Sequence, residues 1–472
     1  MVAWWELLHL SEKTMDPVCI KNIVLEGIHQ RYNLNIDFHE TLNVLHGQNG
    51  TGKSTLIHIL ANIANNDFLR FIYLDFSLIR VTYSDGNFVE ITQINEEGAR
   101  YTVKSVSSLE LDFTKVEALE TLNGLDDERF RRDFLTDLMA RQKQFIDVNE
   151  LPKIKSSYFP AFRTMLEAWS SQEEDSRRVY GRNGPSISKV TSFARNLFGR
   201  FLPSINYPSP LDIEYNLREE IRDAQLKIGR YESSIFSQSF VRVFSAILSG
   251  AEGDAGVAEK LLEEISELTN ASAISVMSDF QGPSYAYAEL QRLIGSSRES
   301  QKLASSAAGA LTVYRDALLE RQKFQADIFA KINKYFDAVN AFLDQKELRY
   351  EPDSHRRIPK VGLKFPDGTW SSVKVMSSGE RQLLTMLYAV TKMSSDSLVL
   401  IDEPELSLHI DWQEELLSKM MGQLGARQII VCTHSPSIAA DYDKYMIEVE
   451  PIYTERHGPR SIVLLDEDEE LI

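Results

Sequence analysis

Apolar residues at the two ends of the chain form short runs that predict strands and longer periodic stretches that predict helices. Leu42, Val44 and Leu45 indicate a short buried strand, and unbroken apolar runs at 398–401 and 429–432 suit parallel strands covered on both faces. After the first strand, helical spacing recurs at Leu56, Ile57, Ile59, Leu60 and Ile63. The ends of the chain therefore predict an α/β domain that contains a parallel sheet.

Two other stretches predict antiparallel hairpins. Residues 71–94 alternate polar and apolar positions around the turn sequence SDGN, and residues 356–375 form a similar pattern around PDGT. The expected sheet is therefore mixed, with an antiparallel β subdomain beside its parallel part.

Helical spacing dominates the long middle of the chain, from about residue 116. A stretch rich in glycine and serine, 250–300, separates two apolar stripes, which predict an antiparallel helical hairpin or a small bundle. Such stripes form an ordinary core or an arm that binds a partner. The stripes are Leu217, Ile221, Ala224, Ile228 and Tyr231, and Ile328, Ile332, Tyr335, Val339 and Phe342. We expect an N-terminal lobe (1–115), a mainly helical insertion (116–345) and a C-terminal lobe (346–472).

The composition is that of an ordinary globular protein, with 472 residues, 43% of them hydrophobic, and a net charge of -18. This acidity argues against a surface that binds nucleic acid or anionic lipid by charge alone. The two cysteines, Cys19 and Cys432, support no disulfide framework and favour the cytoplasm. We expect neither a signal peptide nor a membrane span, because no stretch offers about 18 consecutive apolar residues.

Two groups of basic residues could still bind nucleic acid despite the acidic net charge, but acidic residues lie among both groups. We interpret them as solvated faces, with nucleic-acid contact as the alternative. The groups are Arg129, Arg131, Arg132, Arg141 and Lys143, and Arg177, Arg178 and Arg182.

The sequence HGQNGTGKST, between the first strand and the first helix, matches the pattern GxxxxGK[ST]. Glycines let successive backbone N–H groups point into one concavity, and the helix N-terminus adds positive charge, so the loop suits a polyphosphate. We expect Lys53 to reach the β and γ phosphates and Ser54 to bind Mg²⁺; the plain alternative is a glycine-rich turn. The expected ATP-binding residues of this loop are Gly47, Asn49, Gly50, Gly52, Lys53, Ser54 and Thr55.

Two acids follow the apolar run 398–401, at a strand end, where parallel sheets bind their ligands. We expect Asp402 to hold Mg²⁺ and Glu403 to polarise the attacking water as general base, although the two acids could instead cap the next helix. His434 follows the run 429–432 in the same way. It is a candidate contact of the γ-phosphate or a structural histidine.

The stretch MSSGERQLL begins a further predicted helix, with Glu380 placed as the partner in a capping box. An ordinary capped helix explains this pattern. The alternative is a second helix N-terminus at which Ser377, Ser378 and Gly379 bind a phosphate.

These four motifs, in this order, resemble those of ABC-type ATPases. The matching segments are Walker A (47–55), the signature (376–380), Walker B with its catalytic glutamate (402–403) and the switch histidine, His434. The resemblance implies ATP and Mg²⁺ as ligands, and Lys53, Glu403 and His434 as the catalytic residues.

The resemblance also implies a homodimer or a higher homo-oligomer that forms through the ATPase heads. In that family the signature of one subunit closes on the nucleotide that another subunit holds. Ser377, Ser378 and Gly379 would therefore be donated in trans.

Departures from the family pattern narrow the branch. The signature reads MSSGE rather than LSGGQ, and Ser407 and His409 stand where transporter subunits carry their D-loop aspartate. These features resemble the overcoming-lysogenization-defect, AbiEii and other SMC-like ATPases. No Q-loop glutamine is assigned, and the candidates Gln93 and Arg163 are interpreted as surface strand residues.

By this resemblance we expect the ATPase subunit of a bacterial antiviral system of the PARIS, Septu or retron-associated kind. Such a subunit would hold a separate effector, such as a TOPRIM or HNH nuclease, and we expect neither nuclease domain in this chain. One alternative is a DNA-repair ATPase like the RecF and SMC groups. Another is an interaction scaffold clamped by ATP with negligible turnover.

Overall fold

The chain folds into two compact units in the computed structural model. The first combines the described residues up to Tyr207 with those from Lys392 onward, and the second spans Pro208–Thr391. The described residues are 18–94, 99–126, 136–152, 154–166, 187–248, 260–261, 263–265, 267–268, 301–351, 359–392, 397–423, 427–439 and 441–453. Six residues of the two basic groups lie outside them: Arg129, Arg131, Arg132, Arg177, Arg178 and Arg182.

A parallel five-stranded sheet carries the predicted motifs of the first unit. Its strands are β3 (Leu42–His46), β8 (Lys155–Phe159), β12 (Ser397–Asp402), β13 (Ile429–Cys432) and β14 (Met446–Glu448). Their order is β14-β3-β13-β12-β8, and each neighbouring pair is parallel. Residues 398–401 and 429–432 are all buried, as expected of strands covered on both faces, which confirms the predicted parallel strands.

An antiparallel seven-stranded sheet forms the β subdomain of the same unit. Its strands are β1 (Ile20–Ile28), β2 (Tyr32–Asp37), β4 (Leu78–Tyr83), β5 (Phe88–Ile94), β6 (Arg100–Lys104), β7 (Leu111–Thr114) and β15 (Ile452–Tyr453). Their order is β15-β2-β1-β4-β5-β6-β7. The predicted hairpin is present as β4 and β5, with Gly86 at a φ of 89° in its turn. Its expected first residues, 71–73, instead belong to a 3₁₀ helix, Phe68–Tyr73, in which the apolar side chains of Phe68, Leu69, Phe71 and Ile72 are buried.

Helices pack on these sheets, and the first of them follows the glycine-rich loop. The helices of this unit are α1 (Lys53–Ala64), α2 (Lys115–Asp126), α3 (Asp137–Val148), α4 (Ile187–Phe198), α8 (Ile410–Gln423) and α9 (Pro436–Ala439). All five apolar residues of the predicted stripe in α1 are fully buried. The core of the unit therefore packs against the apolar face of α1, the helix that follows the loop.

β8 lies inside the segment 116–345 that the sequence analysis assigns to a helical insertion. It pairs in parallel with β12, so residues up to Tyr207 belong to the first unit. The difference arises because β8 has five residues, too few for periodicity to identify, and its partner is far along the chain.

Two long helices, α5 (Pro210–Leu248) and α6 (Gln301–Asn340), dominate the second unit. Tyr231 of α5 stacks on Phe324 of α6 with ring centroids 3.7 Å apart, and Glu232 forms an ion pair with Arg321. Nearly all residues of the two predicted stripes are buried. The stripes are therefore the sides on which the second unit builds its core.

A small antiparallel sheet and a further helix complete the second unit. They are β9 (Glu347–Glu351), β10 (Lys360–Lys364), β11 (Trp370–Ser371) and α7 (Ser378–Lys392). β10 and β11 form the predicted second hairpin, with Gly368 at a φ of 82°. None of the helices in the described part of the chain is long and apolar enough to cross a membrane.

Candidate functional site

The loop between β3 and α1 has the backbone geometry of a phosphate cradle. Gly47, Gly50 and Gly52 have φ angles of 146°, 83° and 91°, which residues with a Cβ rarely adopt. A Cβ on Gly52 would lie 2.1 Å from the hydroxyl oxygen of Tyr32, which also hydrogen-bonds Thr55. Gly52 is the N-cap residue of α1 and has no side chain to cap the helix, so the first N–H groups of the helix are available to an anion.

Lys53 lies against this loop. Its Nζ donates to the carbonyl oxygens of Gly47 at 3.0 Å and Gln48 at 2.9 Å, and the residue is 6% exposed. Burial lowers the pKa of Lys53, although Cys432 and three carboxylates nearby act in the opposite direction. Asn49 lies at the exposed turn of the same loop. The ammonium is therefore held at the place where the loop would receive a phosphate.

Ser54 and Asp402 bring the two ends of the chain together. Ser54 lies in the first turn of α1, Asp402 ends β12, and the Ser54 hydroxyl lies beside the Asp402 carboxyl. Burial raises the pKa of the Asp402 carboxyl to about 6, although the neighbouring Ser54 hydroxyl acts to lower it. The sequence analysis expected these two residues to share one metal ion, and the structure places them in contact.

A hydroxyl beside a carboxylate is a fitting pair of oxygen ligands for Mg²⁺. Within the described residues, no group of three or more His, Cys, Asp or Glu side chains forms a separate metal site. Ser54 and Asp402 are therefore the residues that would hold a magnesium ion at this site.

Glu403 is the second residue of a tight loop, residues 402–407, that we name the Walker B loop. Its backbone has a φ of 50°, in the left-handed region, and its N–H donates to the Cys432 carbonyl at 2.9 Å. Ser407, at the far end of the loop, has a φ of 67°. The half-buried Glu403 side chain is therefore attached to a backbone conformation that non-glycine residues rarely adopt.

The loop after β13 is tied to the Walker B loop by Glu405. Its Oε2 accepts from the Thr433 hydroxyl at 2.9 Å, and its Oε1 accepts from the His434 N–H at 2.8 Å. His434 itself is exposed. Glu405 is a residue that sequence reasoning missed; the available signal was a third acid in the sequence DEPE.

The interpretation of Arg163 as a surface strand residue is wrong. Arg163 follows β8, is 1% exposed, and donates to several carbonyl oxygens of the Walker B loop. No periodicity or spacing signals such a contact, because it joins residues far apart in sequence. Gln93 lies half-buried in β5, where it accepts from the Phe76 N–H at 3.1 Å and donates to the Tyr101 hydroxyl at 3.3 Å. These contacts give Gln93 a role within the antiparallel sheet.

In the second unit, residues 376–380, which the sequence analysis compares with the ABC signature, lie at the start of α7. Ser377 Oγ accepts from the Glu380 N–H at 3.3 Å, and the Ser377 N–H donates to Glu380 Oε2 at 2.6 Å, which is the capping box that the sequence predicts. Lys346 donates to the same carboxylate oxygen at 2.9 Å. Ser377 is exposed, Ser378 half-buried and Gly379 buried. The cap thus holds the signature residues at the start of a well-formed helix.

Both long helices of the second unit contact residues on either side of this segment. Glu214, near the start of α5, accepts from the Ser372 hydroxyl at 2.6 Å and the Val373 N–H at 3.0 Å. Tyr335, near the end of α6, donates to the Leu384 carbonyl at 2.8 Å. The start of α5 and the end of α6 therefore lie together, so the two helices run antiparallel, as the sequence predicts.

Residues 161–441 match the family model described as "AAA domain, putative AbiEii toxin, Type IV TA system". No curated protein matches the chain. One similar solved structure is the Smc head domain with an extended coiled coil bound to the C-terminal domain of ScpA, derived from Pyrococcus furiosus. It is 12% identical, over 93% of this chain and 96% of that chain, with a TM-score of 0.38. Another is the SmcHead bound to the C-winged helix domain of ScpA, 10% identical over 92% and 97%, with a TM-score of 0.38.

Proposed function

The chain belongs to the AbiEii-type AAA-domain family, and from that premise we propose that it is a magnesium-dependent ATPase with composite sites between protomers. Its mixed α/β fold is that of a P-loop ATPase. The observation that carries the proposal is the contact between Ser54 and Asp402, beside the buried Lys53. It brings the cradle and the acidic strand end, which are remote in sequence, to one point.

Each candidate site residue of the first unit has a distinct part in the proposed hydrolysis. Lys53 and the N–H groups at the start of α1 would bind the phosphates, and Ser54 and Asp402 would hold Mg²⁺, which neutralises phosphate charge when bound. Glu403 would polarise the attacking water, and His434 would contact the γ-phosphate. Since phosphoryl transfer is mostly positioning and charge stabilisation, this set is sufficient for one half of a site.

The second half would come from another protomer. Ser377, Ser378 and Gly379, at the capped start of α7, would meet the nucleotide in trans. Two nucleotides bound at one interface would store a conformational state that hydrolysis releases.

Steady-state turnover and ATP binding test the enzyme. We expect Glu403→Gln to lower kcat by about 100-fold or more while ATP binding persists, and Lys53→Ala to lose ATP binding. Wild-type protein without magnesium-dependent turnover would refute the proposed activity.

Mixing variants tests the composite site. Lys53→Ala and Ser378→Asp should each be inactive alone, because one lacks the cradle cation and the other places a negative charge at the phosphate. A mixture should regain turnover, since each mixed dimer keeps one intact site. A mixture as inactive as its components would refute a site shared between protomers.

We also propose that hydrolysis controls a separate effector, a nuclease, in bacterial antiviral defence within the cytoplasm. The support is the family description, which names an AbiEii toxin and a toxin–antitoxin system. The test is phage challenge of cells that express the chain with its neighbouring genes. Glu403→Gln should abolish or lock the response, whereas full protection by this variant would favour an ATP-clamped scaffold.

DNA-stimulated turnover would instead favour a repair ATPase of the RecF and SMC kind. Of the basic residues singled out in the sequence, the structure describes Arg141 and Lys143. Lys143 is exposed, whereas Arg141 forms ion pairs with Glu117 and Asp137, both at 3.0 Å. Its charge is therefore partly neutralised, which supports the effector reading over the DNA reading.

A further inference from the structure

We infer that Arg163 is a positioning residue for hydrolysis, because its guanidinium holds the Walker B loop in the backbone conformation that aims Glu403. The inference rests on the proposed ATPase function. Arg163 acts through backbone atoms and is not itself placed to touch the nucleotide.

The contacts of Arg163 converge on one loop. Its Nη1 donates to the Asp402 carbonyl at 3.1 Å, and its Nη2 donates to the Glu403 and Pro404 carbonyls at 3.1 Å and to the Leu406 carbonyl at 3.4 Å. Four of the six carbonyls of residues 402–407 therefore point at one buried side chain. A further bond from Nη1 to the Pro160 carbonyl, at 3.2 Å, anchors the guanidinium to the segment after β8.

The loop needs such a partner for two physical reasons. Glu403 and Ser407, at φ of 50° and 67°, hold a left-handed backbone that costs free energy in residues with a Cβ. Buried carbonyl groups also require donors, and the loop's own bonds, such as Leu406 N–H to the Glu403 carbonyl at 3.2 Å, satisfy only part of them. Without Arg163 the loop would relax toward ordinary dihedral angles, and the Glu403 side chain would move with it.

Arginine suits this task better than lysine. The guanidinium presents five N–H donors in a planar fork, whereas an ammonium is one point with three donors. Arg163→Lys therefore keeps the charge and removes the geometry, so it separates positioning from a simple charge effect.

The experiment compares wild type, Arg163→Lys and Arg163→Met by amide hydrogen exchange of residues 402–408, ATP affinity and kcat. We expect both variants to exchange faster in 402–408, to bind ATP within about twofold of wild type, and to lose kcat by roughly tenfold to 100-fold. Wild-type kcat in Arg163→Lys, unchanged exchange, or ATP affinity that falls in parallel with kcat would each overturn the inference.

Arg70→Met is the matched control for loss of a buried arginine. Arg70 is 3% exposed and pairs with Asp67 and Asp126 at 2.8 and 2.9 Å, remote from the Walker B loop in sequence and partners. It should lose stability while keeping kcat per folded molecule and the exchange of 402–408. A comparable loss of kcat in Arg70→Met would overturn the inference, because it would show a general effect of destabilisation.

Ser407→Gly provides a second test, since glycine adopts a positive φ without strain. In the Arg163→Lys background it should slow the exchange of 402–408 more than it does in wild type. Additive effects would overturn the link between Arg163 and the strained loop. If wild-type protein hydrolyses no ATP, the proposed function has failed, whereas these exchange measurements still decide whether Arg163 holds the loop.

Discussion

The backbone N–H of His434 donates to Oε1 of Glu405 at 2.8 Å. The other oxygen of the same carboxylate accepts from Thr433 at 2.9 Å. Glu405 lies in the loop after β12, and His434 in the loop after the neighbouring parallel strand, β13. One side chain therefore couples the loop of the proposed base to the loop of the proposed γ-phosphate contact.

Glu405→Gln tests this coupling. Glutamine keeps one acceptor oxygen but puts a donor NH₂ where the second oxygen was, so one of the two bonds is lost. A bond to a charged group is worth about 1.5–3 kcal/mol, and we expect kcat to fall by about tenfold with ATP affinity unchanged. Steady-state kinetics and nucleotide titration measure both quantities. Glu414→Gln, on the exposed side of α8, is the control and should behave as wild type.

Asp402→Asn should stabilise the protein at neutral pH in the absence of Mg²⁺ and nucleotide. Burial raises the pKa of Asp402 to about 6 from the ordinary 3.8, so the folded state binds the proton more tightly than the unfolded chain. The stability of the folded state therefore falls as the pH rises from about 4 to about 6, and the lost stability is not regained above about pH 6.

We expect the free energy of unfolding of Asp402→Asn to exceed that of wild type by about 1–3 kcal/mol at neutral pH. The difference should shrink toward zero as the pH falls below the unfolded pKa of 3.8, where both states of the wild type bind the proton. Urea denaturation at the two pH values measures it. A less stable variant at neutral pH would contradict the prediction, and the variant should in either case lose magnesium-dependent turnover.

Alanine at Gly52 should destabilise the protein more than alanine at Gly50. Both glycines have a positive φ, 91° and 83°, so both substitutions carry a backbone cost of about 1 kcal/mol. A Cβ at Gly52 also meets Tyr32, whereas at Gly50 no atom of the described residues lies within 4 Å. Overpacking adds about 1–3 kcal/mol at Gly52 alone. Thermal unfolding of the two variants measures the difference. Equal melting temperatures would show that the Tyr32 side chain moves aside without a cost in stability.

Glu380→Gln restores the glutamine of the ABC signature but should weaken the start of α7. Burial disfavours the charged carboxyl, yet the bonds from Lys346 and Ser377 outweigh it and lower the pKa of Glu380. A lowered carboxyl pKa contributes stability that is present above the unfolded value of 4.5 and is lost as pH falls through the folded value.

We therefore expect Glu380→Gln to lose about 1–2 kcal/mol of stability at neutral pH, with a smaller loss under acidic conditions. Chemical denaturation across pH measures this dependence. Glu347→Gln, a neighbouring exposed acid that pairs with Arg349, is the control and should change stability by less than about 0.5 kcal/mol. A loss that did not depend on pH would assign the effect to packing rather than to charge.

Several features of the protein were predictable because their cause is local. The strand β3, the glycine-rich loop and the apolar stripe of α1 follow one another within 42–64, so pattern and turn chemistry identify them together. The capping box of Ser377 and Glu380 spans three residues for the same reason. The two helical stripes were readable because each repeats over several turns, long enough for periodicity to stand out.

Other features depend on contacts between residues that the sequence sets far apart. β8 is short and is recognised only by its pairing with β12. Arg163 and Glu405 carry no periodicity, and apart from the Thr433 hydroxyl, which donates to Glu405, the partners named above are backbone groups that any residue could supply. The sequence by itself thus determined which residues are the candidates to bind phosphate and a metal ion, since those residue types are set by chemistry. Only the tertiary structure decided which side chains hold the loops that carry them. Every residue has a backbone carbonyl, so the sequence does not show which carbonyls accept these hydrogen bonds.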